Sequence, residues 1–290
     1  MTTAFVILHY RTLDVTIQCL DSLLKVAPDS QIVVVDNNSG DGSGEEVRRR
    51  FVGCNNVAVV INDQNLGFAK GNNTGYKYVK DNFDVDCVVV MNNDVIITQS
   101  GFADIIANYM KDHHLDVCGP DVVTPEGRHQ NPLQRQPFPT FRIVKWMFMD
   151  CIRLIMLKLH LFEKKILATY TSVSNSYQRQ DIDLNGITDC VLHGSCVAYS
   201  RDYLSKEDFA FVPVTFLYAE EMILADYCKR KNYRTGICPT ANVTHLGGKT
   251  IMNGALPREK QIFKTAQVVK SLWQLLKLRW FGLEVADYIL

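Results

Sequence analysis

Residues 88–97, VVVMNNDVII, combine a short apolar run with three side chains whose oxygens could contact a ligand. The first four residues have the composition of a buried strand, and Asn92, Asn93 and Asp94 follow shortly after. Amide and carboxylate oxygens at the end of a buried strand can accept hydrogen bonds from a bound molecule. The same residue types also form ordinary polar turns. This stretch alone leaves both interpretations open.

Three more apolar runs end in polar groups, namely at residues 9–11, 36–39 and 62–65. Asp36 ends one of them, and its carboxylate could accept a hydrogen bond from a pyrimidine ring N–H or a ribose hydroxyl. The alternative is that Asp36 only caps the turn that follows it. In an open parallel sheet, ligands bind beyond the carboxyl ends of the strands. We therefore expect the four polar groups to meet at one rim.

The elements that would position these groups alternate between strand and helix. After the first apolar run, apolar residues recur at helical spacing at Leu13, Ile17, Leu20 and Leu24. Nearly continuous Val and Ile runs are typical of strands that are buried on both faces. The pattern predicts an α/β fold with a mostly parallel open sheet and flanking helices over the first 115 residues.

The pattern changes after about residue 116. A stretch rich in proline and polar residues precedes a strongly apolar, basic segment over 141–167, which we predict to be helical. We predict a loop over 171–186, then a strand and a helix, and then a helix entered through acidic residues. The tail from Arg258 is predicted to be a basic amphipathic helix. Its expected apolar face consists of Ile262, Ala266, Val269, Trp273, Leu276 and Trp280.

The composition indicates a globular protein without a global charge bias. The chain has 290 residues, 47% of them hydrophobic, and its 31 basic residues balance its 31 acidic residues, so nothing points to a nucleic-acid partner. Nine cysteines without a CxxC pair predict buried thiols in a reducing compartment. The N-terminus lacks a signal-peptide pattern, and no stretch reaches the ~20 apolar residues that span a bilayer. We therefore predict a cytoplasmic protein, with a peripheral position on the inner face of the membrane as a further option.

Four stretches of the chain resemble, in order and spacing, the family 2 glycosyltransferases, which are inverting enzymes of the GT-A fold. The nearest branch is the rhamnosyltransferase-like one that builds bacterial surface polysaccharides. The resemblance covers roughly residues 3–250 and rests on VVVDNNSGDGS, NLGFAKGNNTG, VVVMNNDV and FLYAEEMILADYCKRKNYRTG. It implies a nucleotide-sugar-binding half at 1–115, an acceptor-binding and catalytic half of the same domain at 116–250, and a helical tail at 251–290.

The resemblance also implies the reaction and its partners. A sugar would move, with inversion, from a UDP-, dTDP- or GDP-linked donor to a glycan or lipid-linked saccharide acceptor. In the family, a Glu-Asp pair at the start of a helix supplies the base, and Glu220 and Glu221 stand in that place. Glu221 is then the expected catalytic base, with Glu220 beside it. The alternative is that these acids only favour the helix N-terminus.

A divalent cation, Mg²⁺ or Mn²⁺, is the cofactor that the resemblance implies. The family usually has an Asp-x-Asp motif where this chain has Asn92, Asn93 and Asp94, so Asp94 is the motif's one anionic ligand. His245 stands where GT-A enzymes commonly supply a C-terminal metal ligand, although a lone histidine is more often structural. The donor phosphates and water would complete the coordination.

The NLGFAKGNNTG motif is expected to lie against the donor. Its glycines at 67, 71 and 75 permit a close backbone approach, and a helix that begins here would direct free N–H groups at phosphate. A tight strand-to-helix turn with close packing is the alternative. The residues that we expect to bind the donor are Tyr10, Asp36, Asn38, Asn65, Gly67, Lys70, Asn73, Asn92, Asn93 and His193.

Two other functions stay open. The chain could be a nucleotide-sugar-binding protein with weakened catalysis, because Asn92 replaces an acid, or a sugar-phosphate nucleotidyltransferase, although it lacks a glycine-rich basic signature after the first strand. The basic segments 141–167 and 258–280 also allow two interpretations. They either pack on the catalytic domain with solvated basic faces or attach to an anionic membrane surface.

Overall fold

The structure is a computed structural model, and it describes residues 1–163, 182–247 and 257–282. The strands are β1 (Thr3–His9), β2 (Gln31–Asp36), β3 (Val57–Ile61), β4 (Cys87–Asn92), β5 (Val95–Ile96), β6 (Val117–Val123), β7 (Cys196–Ser200) and β8 (Thr235–His245). The helices are α1 (Leu13–Val26), α2 (Ser43–Phe51), α3 (Gly67–Asn82), α4 (Phe102–Asp112), α5 (Thr140–Lys158), α6 (Arg201–Lys206), α7 (Glu220–Lys231) and α8 (Pro257–Phe281).

These eight strands form one sheet in the order β3-β2-β1-β4-β7-β6-β8-β5. The neighbours β3, β2, β1 and β4 are parallel, as are β6 and β8. β7 and β5 run antiparallel to the strands that they pair with. The prediction of a mostly parallel α/β sheet with flanking helices is confirmed. The proposed division at residues 115 and 250 stays a prediction.

Both faces of the sheet are covered, which explains the uninterrupted apolar runs. Along β1, Val6 belongs to one core and Phe5 and Ile7 belong to the other, because successive side chains of a strand alternate between faces. The first core includes residues of α3, α7 and α8, and the second includes residues of α1, α2 and α4. Seven of the nine cysteines are buried free thiols, in agreement with the prediction from composition.

The strand register brings the polar strand ends together. His9 pairs with Asp36 and Leu8 pairs with Asn92, so β1, β2 and β4 end within about one residue of each other. The next strand joins the same rim, because the backbone N–H of Asn62 donates to the carbonyl of Asp36 at 2.9 Å. The expected convergence of the strand ends is therefore confirmed.

The short strand β5 adds a residue from the far end of the sequence to this rim. Val95 of β5 lies opposite His245, the last residue of β8. The backbone N–H of Leu246 also donates to the carbonyl of Asp94 at 2.9 Å. These contacts place Asp94 beside His245, although most of the chain separates the two residues in sequence.

Helices α5 and α8 pack against each other, and both contribute buried residues to the first core. The predicted helix over 141–167 ends at Lys158, and residues 164–167 lie outside the described part of the chain. The predicted loop over 171–186 is described only from residue 182. None of the helices that the structure describes is both long enough and apolar enough to cross a membrane.

The predicted C-terminal basic helix is confirmed as α8, but the predicted apolar face is not its buried side. Of its six residues only Leu276 is buried, and Trp273 and Trp280 are about half exposed. The residues of α8 that are buried are Gln261, Thr265, Ser271, Leu272, Leu275, Leu276 and Leu278. This helix contacts both α5 and α7, so two neighbours determine its buried side and a single amphipathic stripe does not describe it.

Candidate active site

A buried hydrogen-bond network fixes the ends of β1 and β4. Thr16 of α1 is at its centre, because Oγ1 lies 2.7 Å from His9 Nδ1 and accepts a 2.8 Å bond from Asn93 Nδ2. Asn93 Nδ2 also donates to Thr12 Oγ1 at 2.7 Å. Burial lowers the pKa of His9 more than the nearby carboxylates raise it, which favours the neutral ring. Asn93 therefore holds the strand end in place, and its contact with a donor stays a prediction.

Asp36 lies at the end of β2, where only 3% of its surface is exposed. Ser39 donates its backbone N–H to Asp36 Oδ1 at 3.2 Å, and the Ser39 hydroxyl donates to the same oxygen. Asp36 thus caps the turn after β2, as one of the two sequence interpretations proposed. The first turn of α2 packs closely on this carboxylate, since a Cβ at Gly44 would overlap Asp36 Oδ2. Nucleoside binding by Asp36 stays a prediction.

Asn37, which was not among the predicted site residues, makes four hydrogen bonds that hold the connection between β3 and α3. Its Nδ2 donates to Asn65 Oδ1 and to the carbonyl of Gly67, both at 3.0 Å. Its Oδ1 accepts bonds from Asn62 Nδ2 at 3.1 Å and from the N–H of Leu66 at 3.0 Å. One buried amide therefore joins β2 to both ends of the β3–α3 connection. Its place at a polar strand end was the available signal, but its type alone does not separate ligand binding from turn formation.

The expectation that α3 presents free N–H groups to phosphate is wrong for the start of the helix. The N–H of Phe68 donates to the carbonyl of Phe216 at 2.7 Å, and the N–H of Gly67 donates to Asn65 Oδ1 at 2.9 Å. Gly67 has φ +78°, and a Cβ there would overlap the Phe216 backbone. The glycine is therefore required by close chain packing, which was the alternative interpretation. Donor contacts by Gly67 and Asn65 stay predictions.

The other predicted donor residues differ in their surroundings. Asn73 holds the loop that precedes α7, because its Oδ1 accepts the N–H groups of Ala210 and Phe211, both at 3.0 Å. The predicted residues that keep partly exposed side chains near this end of the sheet are Tyr10, Asn38, Lys70 and Asn92. Donor contacts by Asn73 and by these four residues stay predictions.

Asp94 and His245 form a pair that fits a divalent cation. Asp94 is 6% exposed, and its Oδ1 has no hydrogen-bond partner within the described residues. His245 Nε2 lies 3.4 Å from this oxygen, and His245 Nδ1 lies 2.8 Å from Gln130 Oε1. An amide oxygen only accepts, so Nδ1 carries the proton and Nε2 of the neutral ring presents its lone pair. A carboxylate oxygen and an imidazole nitrogen that present lone pairs at one place are suitable metal ligands.

The protein supplies only part of such a coordination shell. The described residues contain no cluster of three or more His, Cys, Asp or Glu side chains that could hold a metal. Mg²⁺ and Mn²⁺ accept water and phosphate oxygens readily, so a bound ligand could provide the remaining positions. Gln130 was missed because it lies in the proline-rich stretch after residue 116, where no periodic pattern identifies its partners.

His193 lies beside the cation pair, with its ring centroid 5.2 Å from that of His245. Its Nδ1 accepts the N–H of Ser195 at 3.2 Å and lies 2.8 Å from Ser195 Oγ. Burial first, and then the His245 ring, lower the pKa of His193 to about 3. The ring is therefore neutral and carries its proton on Nε2, which makes that nitrogen a hydrogen-bond donor. The predicted donor contact of His193 stays a prediction.

A strained turn sets the start of α7. Tyr218 and Ala219 both adopt left-handed backbone conformations, with φ of 73° and 66°. Residues with a side chain rarely adopt this conformation, and such strain occurs preferentially at functional sites. The turn directs Glu220 and Glu221 into the first turn of the helix. The structure therefore places the predicted carboxylate pair at the helix N-terminus, where the sequence placed it.

The two glutamates have different environments. Glu220 is 4% exposed, and its Oε1 accepts a 2.9 Å hydrogen bond from Thr215 Oγ1. Burial first, and then the charge of Glu221, raise the pKa of Glu220 to about 8. Glu221 accepts the backbone N–H of Gly194, and burial also raises its pKa. A pair of this kind can keep one carboxyl neutral while the other acts as a base.

The base and the cation pair are linked by consecutive residues. Gly194 contacts Glu221, and its neighbour His193 contacts His245. The rim thus combines a carboxylate that can take a proton with ligands that can hold a positive charge. Such a combination suits the removal of a proton from one group while negative charge develops on another.

The chain matches one family model and many solved structures. The model described as glycosyl transferase family 2 matches residues 4–207. No curated protein sequence matches the chain. The structure of S. aureus TarS residues 1–349 in complex with UDP shares 15% sequence identity with this chain, with a TM-score of 0.51. The match covers 99% of this chain and 68% of the TarS chain. The mannosyltransferase PcManGT of Pyrobaculum calidifontis, in complex with GDP-Man and Mn²⁺, has 15% identity and a TM-score of 0.51, over 98% and 77%.

GalNAc-T7, in complex with UDP, GalNAc and Mn²⁺, is also similar in structure. It has 13% identity and a TM-score of 0.59, over 100% of this chain and 49% of that chain. Likeness at these identities shows the fold, and the expected GT-A fold is confirmed. The matched region of the family model spans well over half of the sequence. The chain therefore belongs to glycosyltransferase family 2.

Proposed function

We propose that this family 2 glycosyltransferase transfers one sugar, with inversion, from a nucleotide-diphosphate donor to a hydroxyl of a glycan or lipid-linked saccharide. The observation that carries the proposal is the series of contacts that leads from Glu221 through Gly194 and His193 to His245. An inverting transfer needs a base for the acceptor hydroxyl and a positive charge for the leaving diphosphate. Each pair could supply one of these requirements.

Glu221 is the proposed catalytic base. Its side chain is partly exposed, and the N–H of Gly194 orients its carboxylate. Burial raises its pKa, so the carboxylate binds the acceptor proton more tightly than an exposed one would. Burial and the neighbouring carboxylate of Glu221 raise the pKa of Glu220, which favours the protonated form of Glu220 and leaves the negative charge of the pair on Glu221. As the acceptor oxygen bonds to the anomeric carbon, its proton passes to Glu221 and the bond to the diphosphate breaks.

Asp94 and His245 would hold Mg²⁺ or Mn²⁺ together with water and the donor phosphates. A bound divalent cation neutralises the charge that develops on the leaving diphosphate. His193, whose ring contacts that of His245, would donate its Nε2 proton to a phosphate or sugar oxygen. Asp36 and its turn would contact the nucleoside at the other half of the rim.

The proposed donor is a UDP-, dTDP- or GDP-linked sugar, and the proposed role is cell-surface polysaccharide synthesis. TarS binds UDP, and PcManGT binds GDP-Man with Mn²⁺, which supports a UDP- or GDP-linked donor here. A dTDP-linked donor, a rhamnosyltransferase-like specificity and a role in cell-surface polysaccharide synthesis are supported by the sequence resemblance alone. Membership of a glycosyltransferase family argues against the alternative of a sugar-phosphate nucleotidyltransferase.

Donor binding and transfer can be tested separately. Nucleotide sugars are screened for thermal stabilisation with Mn²⁺ and with chelator, and the best donor is then used in a transfer assay. We expect Glu221→Gln to lower transfer by about 10²- to 10⁴-fold while donor binding is retained. Glu220→Gln is the matched variant, and it should keep most of its activity near neutral pH because the raised pKa of Glu220 already favours its uncharged form. Wild-type turnover in Glu221→Gln, or a product with retained anomeric configuration, would contradict the mechanism.

The second candidate is a nucleotide-sugar-binding protein with weak catalysis. Asn92 favours it, since the usual first acid of the metal motif is missing. The same screen separates the two functions. Tight donor binding without turnover on a broad panel of glycan and lipid-linked acceptors would favour the binding protein.

A further inference from the structure

Helix α5 presents an apolar stripe to solvent. The residues of this outer stripe are Phe141, Val144, Phe148, Ile152, Ile155 and Leu159, the last at the helix C-cap. All six are exposed, with 74% of Phe141 and 65% of Phe148 accessible. Large apolar side chains that stand singly on a surface are ordinary, whereas a continuous row along a helix marks an interaction site.

The outer stripe lies on the side of α5 that faces away from the protein. Its residues follow each other at intervals of three or four, which places them on one helix face. The two buried residues of α5 are Ile143 and Leu157, and they lie on the opposite side at 100° per residue. A surface helix normally has its apolar face toward the core and its polar face outside. Helix α5 is apolar on both its inner and its outer face.

Two arginines of α8 hold α5 in this orientation. Arg258 donates to the carbonyl of Leu157 at 2.9 Å, at the end of α5. Arg279 donates to the carbonyl of Phe138 at 2.7 Å and to Thr140 Oγ1 at 3.2 Å, at the start of α5. The two helices are therefore antiparallel and joined at both ends. The inner side of α5 is already packed, so the outer stripe is a second apolar surface.

The pair of helices is strongly basic although the whole chain is neutral. α5 has four basic residues and one acidic residue, and α8 has six basic residues and one acidic residue. The pair thus carries a net charge of about +8, whereas the chain has 31 basic and 31 acidic residues. Arg142, Lys145 and Lys158 flank the outer stripe and are exposed. The acid of α5, Asp150, is partly buried and bonds to Arg153 at 2.8 Å.

Two exposed aromatic residues lie at one end of the helix pair. Trp280 and Phe281 follow Arg279 in α8 and are 50% and 78% exposed. Because Arg279 contacts the start of α5, these two rings lie at the same end as Phe141. Tryptophan and phenylalanine beside basic residues are typical of helices that lie in the headgroup region of a bilayer.

We propose that the outer stripe of α5, together with the aromatic end of α8, lies in the surface of a membrane that contains anionic lipids. The apolar row would enter the boundary between headgroups and acyl chains, and the flanking basic residues would contact lipid phosphates. A second copy of the chain is a poorer partner, because each copy would bring the exposed bases Arg142, Lys145 and Lys158 to the same surface. The inference is independent of the proposed transfer reaction.

The test is flotation of the full chain with vesicles. Vesicles of phosphatidylcholine are compared with vesicles that also contain phosphatidylglycerol. The wild type should float with the anionic vesicles and much less with the neutral ones, and added salt should weaken the binding. The triple variant Phe148→Gln/Ile152→Gln/Ile155→Gln should bind about tenfold or more weakly, since it removes apolar contact area.

Matched variants separate the stripe from general surface effects. Val52→Gln replaces another exposed apolar residue, which is 83% accessible, and should leave flotation unchanged. Lys145→Gln/Lys158→Gln should lower binding to anionic vesicles by about tenfold. Lys25→Gln/Lys111→Gln changes the net charge equally on exposed residues of α1 and α4 and should have little effect. Phe148→Gln alone serves if the triple variant does not fold.

Three results would overturn the proposal. The first is a wild type that floats with neither kind of vesicle, and the second is a triple variant that floats as well as the wild type. The third is a wild type that is a dimer without lipid, together with a triple variant that is a monomer, because the outer stripe is then an interface between copies. Donor binding, measured on the same preparations by thermal stabilisation, should be equal in all variants. A failure of flotation is thereby separated from a failure of the proposed transfer function.

Discussion

His245 Nε2 lies 3.4 Å from Asp94 Oδ1, and the two atoms present lone pairs at the same place. Gln130 fixes this geometry, because its amide oxygen lies 2.8 Å from His245 Nδ1 and determines which ring nitrogen carries the proton. Two acceptor atoms at this separation repel each other unless a proton or a cation lies between or beside them. The pair is therefore expected to bind a divalent cation.

Asp94→Asn should remove most of the affinity for Mn²⁺. The substitution keeps the shape of the side chain but deletes the anionic ligand, and affinity for hard cations depends strongly on carboxylate charge. Calorimetric titration with Mn²⁺, alone and with the nucleotide diphosphate, measures the loss. Asp121→Asn is the matched control, since Asp121 Oδ1 also pairs with a histidine, His129 Nδ1, at 2.8 Å. Equal loss in the two variants would argue against a specific cation site at Asp94.

Gln130→Leu should weaken Mn²⁺ binding by about 10- to 100-fold while both ligands remain. The variant removes the acceptor that orients His245, so the ring can rotate or change tautomer. Gln99→Leu is the control, because Gln99 also holds β8, through a 2.9 Å bond from the Asn242 N–H and a 2.7 Å bond to the Thr240 carbonyl. If Gln99→Leu lowers metal affinity as much as Gln130→Leu, the effect reflects a general loosening of β8.

Gly194→Ala should impair transfer more than stability. A Cβ at this position would lie 2.8 Å from Glu221 Oε1 and 3.1 Å from its Cγ. The far end of a flexible side chain can move away, so the fold should survive while the proposed base is displaced. We expect kcat to fall by about tenfold to a hundredfold and donor affinity to stay near wild type.

Gly53→Ala is the control for Gly194→Ala, because nothing lies within 4 Å of a Cβ at Gly53. Transfer rate, donor affinity and melting temperature are measured for both variants. A large drop in melting temperature for Gly194→Ala with normal kcat in the folded fraction would mean that Gly194 only serves packing.

The rim of the sheet could be predicted from sequence because strand periodicity determines where side chains point. Apolar runs with polar ends were enough to place Asp36, Asn92 and Asp94 at one edge, since parallel strands end together. The family resemblance was needed to add His245, because only the antiparallel pairing of β5 with β8 brings it there. Gln130 could not be found, since its role depends on a contact across the sheet that no local pattern encodes.

The errors have a common physical cause, which is that one local pattern serves two kinds of contact. A glycine at position 67 allows close approach of either a phosphate or another segment of the same chain. In the structure the backbone of Phe216 occupies this place. The spacing of the apolar residues of α8 predicts a helix that packs against one neighbour on a single face, whereas α5 and α7 both contact this helix. Trp273 and Trp280 are exposed for this reason. Tertiary contacts, which local periodicity does not contain, settled both cases.

The carboxylate pair should make stability depend on pH. Glu220 has a pKa of about 8, raised from 4.5 by burial and then by the charge of Glu221. A carboxyl whose pKa is higher in the folded protein contributes stability that is fully present below about pH 4.5 and is lost as the pH rises through about 8. Glu220→Gln cannot ionise, so it should gain stability relative to the wild type across this interval, on the order of 2 to 4 kcal/mol.

Urea denaturation midpoints at about pH 5 and about pH 8.5 measure this effect as the difference between variant and wild type. The difference cancels the opposite contribution of His9, whose lowered pKa acts equally in both proteins. Glu126→Gln is the control, because Glu126 is exposed and its pKa is lowered, so its ionisation lies below the tested interval. If the urea midpoints of Glu220→Gln and Glu126→Gln differ from that of the wild type by the same amount at both pH values, Glu220 is not a buried neutral acid. In that case Glu220 and Glu221 share the negative charge of the pair, and the assignment of Glu221 as the base is no longer supported.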